Sequence, residues 1–216
     1  MTTSVAQDVA KSLLDLKAIV LSPQNPFTWA SGLRSPIYCD NRLVISSVSI
    51  REQIIAAFVE KIKALPIQPD VIAGCATAGI PHAAWIADRL DLPMIYVRGS
   101  EKKHGRRNKI EGSLNAGAKV VVIEDLISTG GSSLEVCQEL IEKGSVVLNV
   151  LAIFEYQLTK GKENFERAGI PYQTLSNFQT LVEVAQSSGF LSKEDYDLVS
   201  NWRKDPQAWS EANASK

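Results

Sequence analysis

Apolar positions recur along this chain with two periods, and the alternation between them indicates the fold class. Val5, Val9, Leu13, Leu16 and Ile19 fall at helical spacing and predict a first amphipathic helix. A second follows, with Ile50, Ile54, Ile55, Phe58, Ile62 and Leu65 on one face. Between and after these helices lie short apolar runs at residues 70–73, 94–97, 119–123 and 146–154. Such runs, rich in valine and isoleucine, predict strands buried on both faces. Residues 74–79 are small, with glycine at each end, and predict a loop before a helix opened by Pro81. Leu134, Cys137, Leu140 and Ile141 predict one side of another helix, with Gly144 as its stop.

Later positions continue the pattern. Phe165 and Tyr172 flank a helix–turn–strand step, and Phe178, Leu181, Val182 and Ala185 predict a helix. Residues 192–195 cap a last helix ending near Trp202, and the tail from Asp205 is expected to be loosely held. Strands alternating with helices imply an α/β chain with a parallel sheet and right-handed crossovers. In such sheets ligands bind beyond the carboxyl ends of the strands. Residues 25–42 break the pattern with prolines, a glycine and the aromatics Phe27, Trp29 and Tyr38. They read either as a hairpin-like connector or as a ligand-touching loop.

Composition narrows the class. The chain has 216 residues, room for one domain with a sizeable core, and shows no internal repeat. A net charge of −1 argues against a protein that coats nucleic acid or anionic membrane. No apolar run is long enough to span a bilayer, and the N-terminus does not resemble a secretory signal. Cys39, Cys75 and Cys137 lack metal-ligand spacing and read as free thiols, so a cytoplasmic protein is expected.

The chemistry concentrates in residues 120–133. Val120, Val121, Val122 and Ile123 predict a strand, with Glu124 and Asp125 where it should end. Leu126, Ile127, Ser128, Thr129, Gly130, Gly131, Ser132 and Ser133 then lead into a helix. Backbone N–H groups and hydroxyls at a helix N-terminus cradle phosphate, and glycines let the backbone approach the anion. The carboxylates suit the hydroxyls of an adjoining sugar. Together these imply a ribose 5-phosphate ligand. Neither the G-x-G-x-x-G fingerprint nor the G-K-[ST] of a P-loop is present. The plainer reading is a buried strand in which Asp125 or Ser128 only caps the next helix.

Residues 120–133 resemble the phosphoribosyl-diphosphate (PRPP) signature of the type I phosphoribosyltransferases. The resemblance implies that family's fold: a five-stranded, mainly parallel sheet flanked by helices, with a small N-terminal hood. Residues 1–216 would form the single domain, residues 1–45 contributing to a base-binding hood.

Residues 98–109 hold six Lys or Arg against one Glu, a formal +5, with almost no apolar residue. The stretch cannot pack, and glycines at 99, 105 and 112 suit hinges. It reads as a solvated charge run, as a nucleic-acid patch, or as a loop serving the neighbouring phosphate site. Nucleic-acid binding is disfavoured because interleaved aromatics are lacking. For a PRPP site the chemistry is direct. Breaking the C1–O bond releases pyrophosphate, so cations aimed at the leaving group favour the transition state selectively.

Residues 27–42, residues 77–82 and the loop containing Arg98, Lys102, His104 and Gly105 are similar to orotate phosphoribosyltransferases, particularly the Gram-positive bacterial kind. This resemblance implies transfer of ribose 5-phosphate from PRPP to N1 of orotate, in pyrimidine synthesis. It implies that Glu124 and Asp125 hold the ribose hydroxyls while residues 126–132 wrap the 5-phosphate, Ser128 also touching orotate. Arg98 would contact the diphosphate, and Lys102 and His104 would reach that of a neighbouring subunit, making a homodimer with shared sites. Lys102, His104 and Asp125 are the implied catalytic residues, Tyr38 the aromatic against the pyrimidine. Mg²⁺ would bind through PRPP and water, with no direct protein ligand. Three positions depart from the family: Ala30 and Gly99, where many members have lysine, and residues 154–157, which lack a base-contacting arginine. The orotate carboxylate is thus left without an assigned partner. The alternatives are transfer to another base and a non-catalytic, PRPP-sensing regulator.

On this reading Lys102→Ala should cut turnover by orders of magnitude while leaving the melting temperature unchanged. Near-normal turnover would remove the loop's role. Mixing Lys102→Ala with Asp125→Ala chains should restore part of the activity if sites are shared.

Overall fold

The computed structural model describes residues 4–29, 31–99 and 109–213. Ser4 accepts from the Gln7 amide and opens α1 (Val5–Asp15), which buries Val9, Ala10, Leu13 and Leu14. Leu16 closes that helix, and Ile19 belongs instead to β1 (Ile19–Leu21), which pairs antiparallel with β4 (Ile37–Cys39). Between them β2 (Phe27–Thr28) and β3 (Arg34–Ser35) form a hairpin, and a short 3-10 helix follows over Asn41–Ser46. These pieces form the N-terminal hood. Next come α2 (Val48–Lys63), β5 (Val71–Cys75), α3 (Gly79–Leu90) and β6 (Met94–Val97). The chain continues through β7 (Ile110–Glu111), β8 (Lys119–Ile127), α4 (Gly131–Glu142), β9 (Val146–Glu155) and α5 (Thr159–Ala168). It ends with β10 (Tyr172–Asn177), α6 (Phe178–Ser187), α7 (Lys193–Trp202) and α8 (Pro206–Ala212).

The main sheet runs β10-β9-β8-β5-β6-β7, parallel except where β7 pairs antiparallel with β6. It therefore has six strands where five were expected. The extra one is a two-residue edge strand that carries too little pattern to be seen in the sequence. β8 lies in the middle and explains its own composition. Val121 and Ile123 face one core, under α1, α2, α3 and α6, while Val120 and Val122 face the other, under α4 and α5.

From β5 the chain moves outward through β6 and β7, then returns on the other side as β8. The crevice between the carboxyl ends of β5 and β8 is the topological switch point, with α3 and α4 on opposite faces. Packing there is tight: a Cβ on Gly79 would lie 2.4 Å from the Ile123 carbonyl oxygen. Only glycine lets α3 start this close to β8.

Several expected boundaries move. β8 runs on through Ile127 because its pairing with β9 continues to Glu155, so Glu124 and Asp125 lie within the strand. β5 extends to Cys75 and α3 begins at Gly79, two residues before Pro81, which shortens the loop to residues 76–78. On α4 the buried side is Ser133, Val136, Cys137 and Leu140, and Ile141 is exposed. Gly112 packs against Ile95 and is no hinge in an open loop. Ser192 accepts from the Asp195 amide at 3.0 Å and caps α7 as expected.

Residues 205–213 are not loose. Asp205 caps α8, whose Ser210 Oγ accepts from the Arg34 amide at 2.8 Å, and the Arg34 guanidinium donates to the Asn213 carbonyl. Beneath this clasp, fully buried Trp202 packs its ring centroid 5.6 Å from Trp29, 5.7 Å from Tyr156 and 5.4 Å from Phe178. The C-terminal helices thus hold the hood against the sheet.

Trp202→Ala should lower unfolding free energy by about 3–5 kcal/mol, measured by denaturant titration, because so large a buried ring leaves an unfilled cavity. A loss below about 1 kcal/mol would mean that the hood and C-terminus are joined elsewhere.

Candidate active site

Two backbone loops meet at the switch point, residues 76–78 after β5 and residues 128–130 after β8. The second leads into α4, which starts with no side-chain cap. Its first intrahelical bond runs from the Leu134 amide to the Gly130 carbonyl at 3.0 Å, so the amides of Gly131, Ser132 and Ser133 precede the helical ladder. An anion at this terminus meets donors and the positive end of the helix dipole.

Helix α5 fixes the shape of the 128–130 loop. Asn164 Nδ2 donates to the Thr129 carbonyl at 2.9 Å. A Cβ on Gly161 would come within 2.6 Å of the Ser128 carbonyl oxygen. Gly130 has φ +75°, with the Phe165 ring where a Cβ would lie. Ile127 is buried and Leu126 packs on the core, so their side chains serve the interior.

The two carboxylates occupy different environments. Glu124 is only 5 % exposed and turns toward α4, where it accepts from Ser133 Oγ at 3.1 Å, Ser132 Oγ at 3.3 Å and the Asp125 amide at 3.0 Å. Burial, then repulsion from Asp125, pushes its carboxyl up to about 8. Asp125 is half-buried on the hood side, close enough to Cys39, Arg42 and Tyr156 to influence their ionisation. Its carbonyl accepts from Asn41 Nδ2 at 2.7 Å, tying the 3-10 helix to the end of β8. Of the two, Asp125 is the one open to a ligand.

On the hood, Tyr38 is exposed with its ring 5.5 Å from Phe27. Asp40 caps the 3-10 helix and binds Arg42, whose guanidinium holds its carboxyl below the usual range. Across the sheet, Arg98 and Lys109 stand at the two roots of the basic segment, the Arg98 amide donating to the Lys109 carbonyl at 3.0 Å. Arg98 pairs with Glu111 at 3.1 Å and Lys109 with Glu139 of α4 at 2.6 Å. Arg98 and Lys109, together with Ser132 and Ala76, line a small cleft beside the 128–130 loop. Lys102, His104 and Ala30 lie outside the described residues. Gly99 is exposed, with no atom of the described residues within 4 Å of where a Cβ would stand.

Other residues of the site were not singled out from the sequence. Ser133 reads as one more small residue after the glycines, though a hydroxyl on the buried face of an amphipathic helix is a signal. Asn41, Gly161 and Asn164 act through pairings with β8 and its loop that no local pattern announces. His82 is fully buried and edge-on to Trp85, and burial pushes its imidazole down to about 4. It is a neutral core residue.

Residues 46–176 match the family described as "Phosphoribosyl transferase domain". An orotate phosphoribosyltransferase of Listeria monocytogenes is 51% identical over 206 residues, covering 95% of this chain and 99% of that protein. One from Fusobacterium nucleatum is 53% identical over 199 residues, covering 91% and 94%. The crystal structure of orotate phosphoribosyltransferase from Aeropyrum pernix superposes with a TM-score of 0.73 at 27% identity, covering 85% of this chain and 99% of that one.

The Glu124 environment predicts a pH dependence. Its folded pKa lies above the ordinary 4.5, so the stability it contributes is fully present below that value and is lost as pH rises through about 8. Glu124→Gln removes the titration. The melting temperature of the variant minus that of the parent chain should increase from about pH 6 to about pH 9. A pH-independent difference would contradict the burial argument.

Proposed function

The chain belongs to the orotate phosphoribosyltransferase family, and from that premise we infer how its own residues carry the reaction. The enzyme transfers the 5-phosphoribosyl group of PRPP to N1 of orotate, giving orotidine 5′-phosphate and pyrophosphate in pyrimidine synthesis. The observation that carries the site reading is the uncapped start of α4 beside Asp125, at the switch point of the sheet.

The 5-phosphate sits in the loop of residues 128–132, where amides and hydroxyls converge. Asp125 accepts from the ribose hydroxyls. Glu124, turned toward Ser132 and Ser133, supports the cradle from behind and reaches the ribose only if that bond is exchanged. The diphosphate lies toward residues 76–78 and Arg98. As the C1–O bond breaks, positive charge grows on the ribose and negative charge on the diphosphate. Asp125 faces the first; Arg98, Lys102 and His104 oppose the second. Orotate's N1 is acidic enough to need little general-base help. Ser128 and Tyr38 flank the pyrimidine.

Mg²⁺ fits this donor set. Among the described residues no group of three His, Cys, Asp or Glu is placed to hold a metal. A hard cation that keeps its waters and binds through substrate oxygens suits that arrangement, with Asp125 the nearby carboxylate. When bound, the ion would neutralise diphosphate charge. We further propose a homodimer in which Lys102 and His104 serve the neighbouring site, and a cytoplasmic enzyme. Among the described residues no helix is long and apolar enough to cross a membrane.

The test is orotate's ultraviolet absorbance followed with PRPP and Mg²⁺ and with each omitted. A fall that requires all three, with equimolar pyrophosphate, is expected. No change with orotate but turnover of a purine base would overturn the acceptor, and PRPP binding without any turnover would favour the regulator.

A further inference from the structure

Orotate differs from uracil by a carboxylate, and a site selective for it needs a fixed cation beside the ring. The end of β9 does not supply one. Tyr156 is buried among Trp29, Phe154 and Trp202, and Glu155 accepts from Tyr172 and Thr174. We propose that Arg203, just past α7, holds the acceptor's carboxylate in the cavity between the hood hairpin, the phosphate loop and the α7–α8 turn. This inference rests on the orotate reading above.

Position is the first argument. In substitution at C1, the departing diphosphate and the arriving nitrogen occupy opposite sides of the ribose. Arg98 and Lys109, which mark the diphosphate side, stand beyond β5, just after β6 and just before β7. The acceptor therefore belongs on the β9 side of β8. There a cavity of about 700 Å³ opens beside Leu158, reaching Thr129 of the phosphate loop and Gly32 of the hairpin. Thr129 follows Ser128 directly, so a pyrimidine resting against Ser128 can turn its carboxylate into this cavity.

Charge is the second. Among the described residues Lys160, Arg203 and Lys204 line this cavity with one carboxylate, that of Asp205, while Glu155 at the end of β9 is close enough to feel the Arg203 charge. Arg203 is braced by a residue of another segment. Its Nη1 donates to Gln157 Oε1 at 3.1 Å, and the same oxygen accepts from the Gln179 amide at 3.0 Å. That bond uses one of five guanidinium donors and fixes the plane, leaving a fork that matches a carboxylate. Lys204 instead donates to Asn201 Oδ1 at 2.8 Å.

The third is the origin of the walls. The matched transferase domain covers residues 46–176, whereas Gly32, Arg203 and Ser210 lie outside it. The shared domain supplies the donor site. The segments beyond it, joined to each other by Trp202 and Arg34, enclose the space that distinguishes one acceptor from another.

Arg203→Gln should raise the KM for orotate by about 10-fold to 100-fold, the effect of losing a charge-assisted bond, with the KM for PRPP within about twofold. Preference for orotate over uracil, read from turnover or from uracil's inhibition constant, should fall by the same factor. Arg203→Lys should fall between the two. Arg203→Met serves as the second variant should the glutamine protein not fold. An unchanged orotate KM would overturn the proposal. So would an equal loss for orotate and uracil, which would make Arg203 only a brace for Gln157. Failure of the unaltered enzyme to use orotate would instead remove the underlying reading.

Discussion

A buried carboxyl that accepts from two hydroxyls and an amide ties the end of β8 to the first turn of α4. The site's shape depends on that tie. Glu124 holds Ser132 and Ser133 so that the helix begins soon after the strand stops, with the loop between them at an uncapped helix terminus. A buried acid is costly when ionised, and three donors offset part of that cost. The result is a helix start whose donors are positioned by the protein itself, the kind of preorganisation that electrostatic catalysis draws on.

Around this centre the sheet divides the work. Toward β5, β6 and β7 the chain places the short 76–78 loop and the ion-paired Arg98 and Lys109, surroundings that suit the proposed polyanionic leaving group. Toward β9 it places aromatic rings, a cavity and one braced guanidinium. The hood spans both through Asn41, whose amide nitrogen bonds the Asp125 carbonyl, and through the hairpin above the cavity.

Much of this was legible in the sequence because the signals were local. A run of β-branched residues followed by acids, hydroxyls and glycines specifies strand, loop and helix within fifteen positions. The parallel α/β class and the cap at Ser192 follow from equally local patterns. What escaped was long-range. The extension of β8 through Glu124 and Asp125 is set by its partner strand β9. Nothing near Asp205 indicates that α8 will grip Arg34. The division of labour between the two acids also depends on tertiary surroundings, since side by side in the sequence they look equivalent. The edge strand β7 is two residues long, too short for any periodicity.

The clasp between α8 and the hood has a consequence for the order in which the protein is built. Arg34 and Ser210 are 176 positions apart. The chain leaves the ribosome from its N-terminus at about 5–20 residues per second. The transferase core can form its sheet while the hood still lacks both Trp202 and Ser210. The sheet is therefore made before the hood can be clasped, and the hairpin gains its packing against Trp202 and Ser210 only once those late residues have emerged.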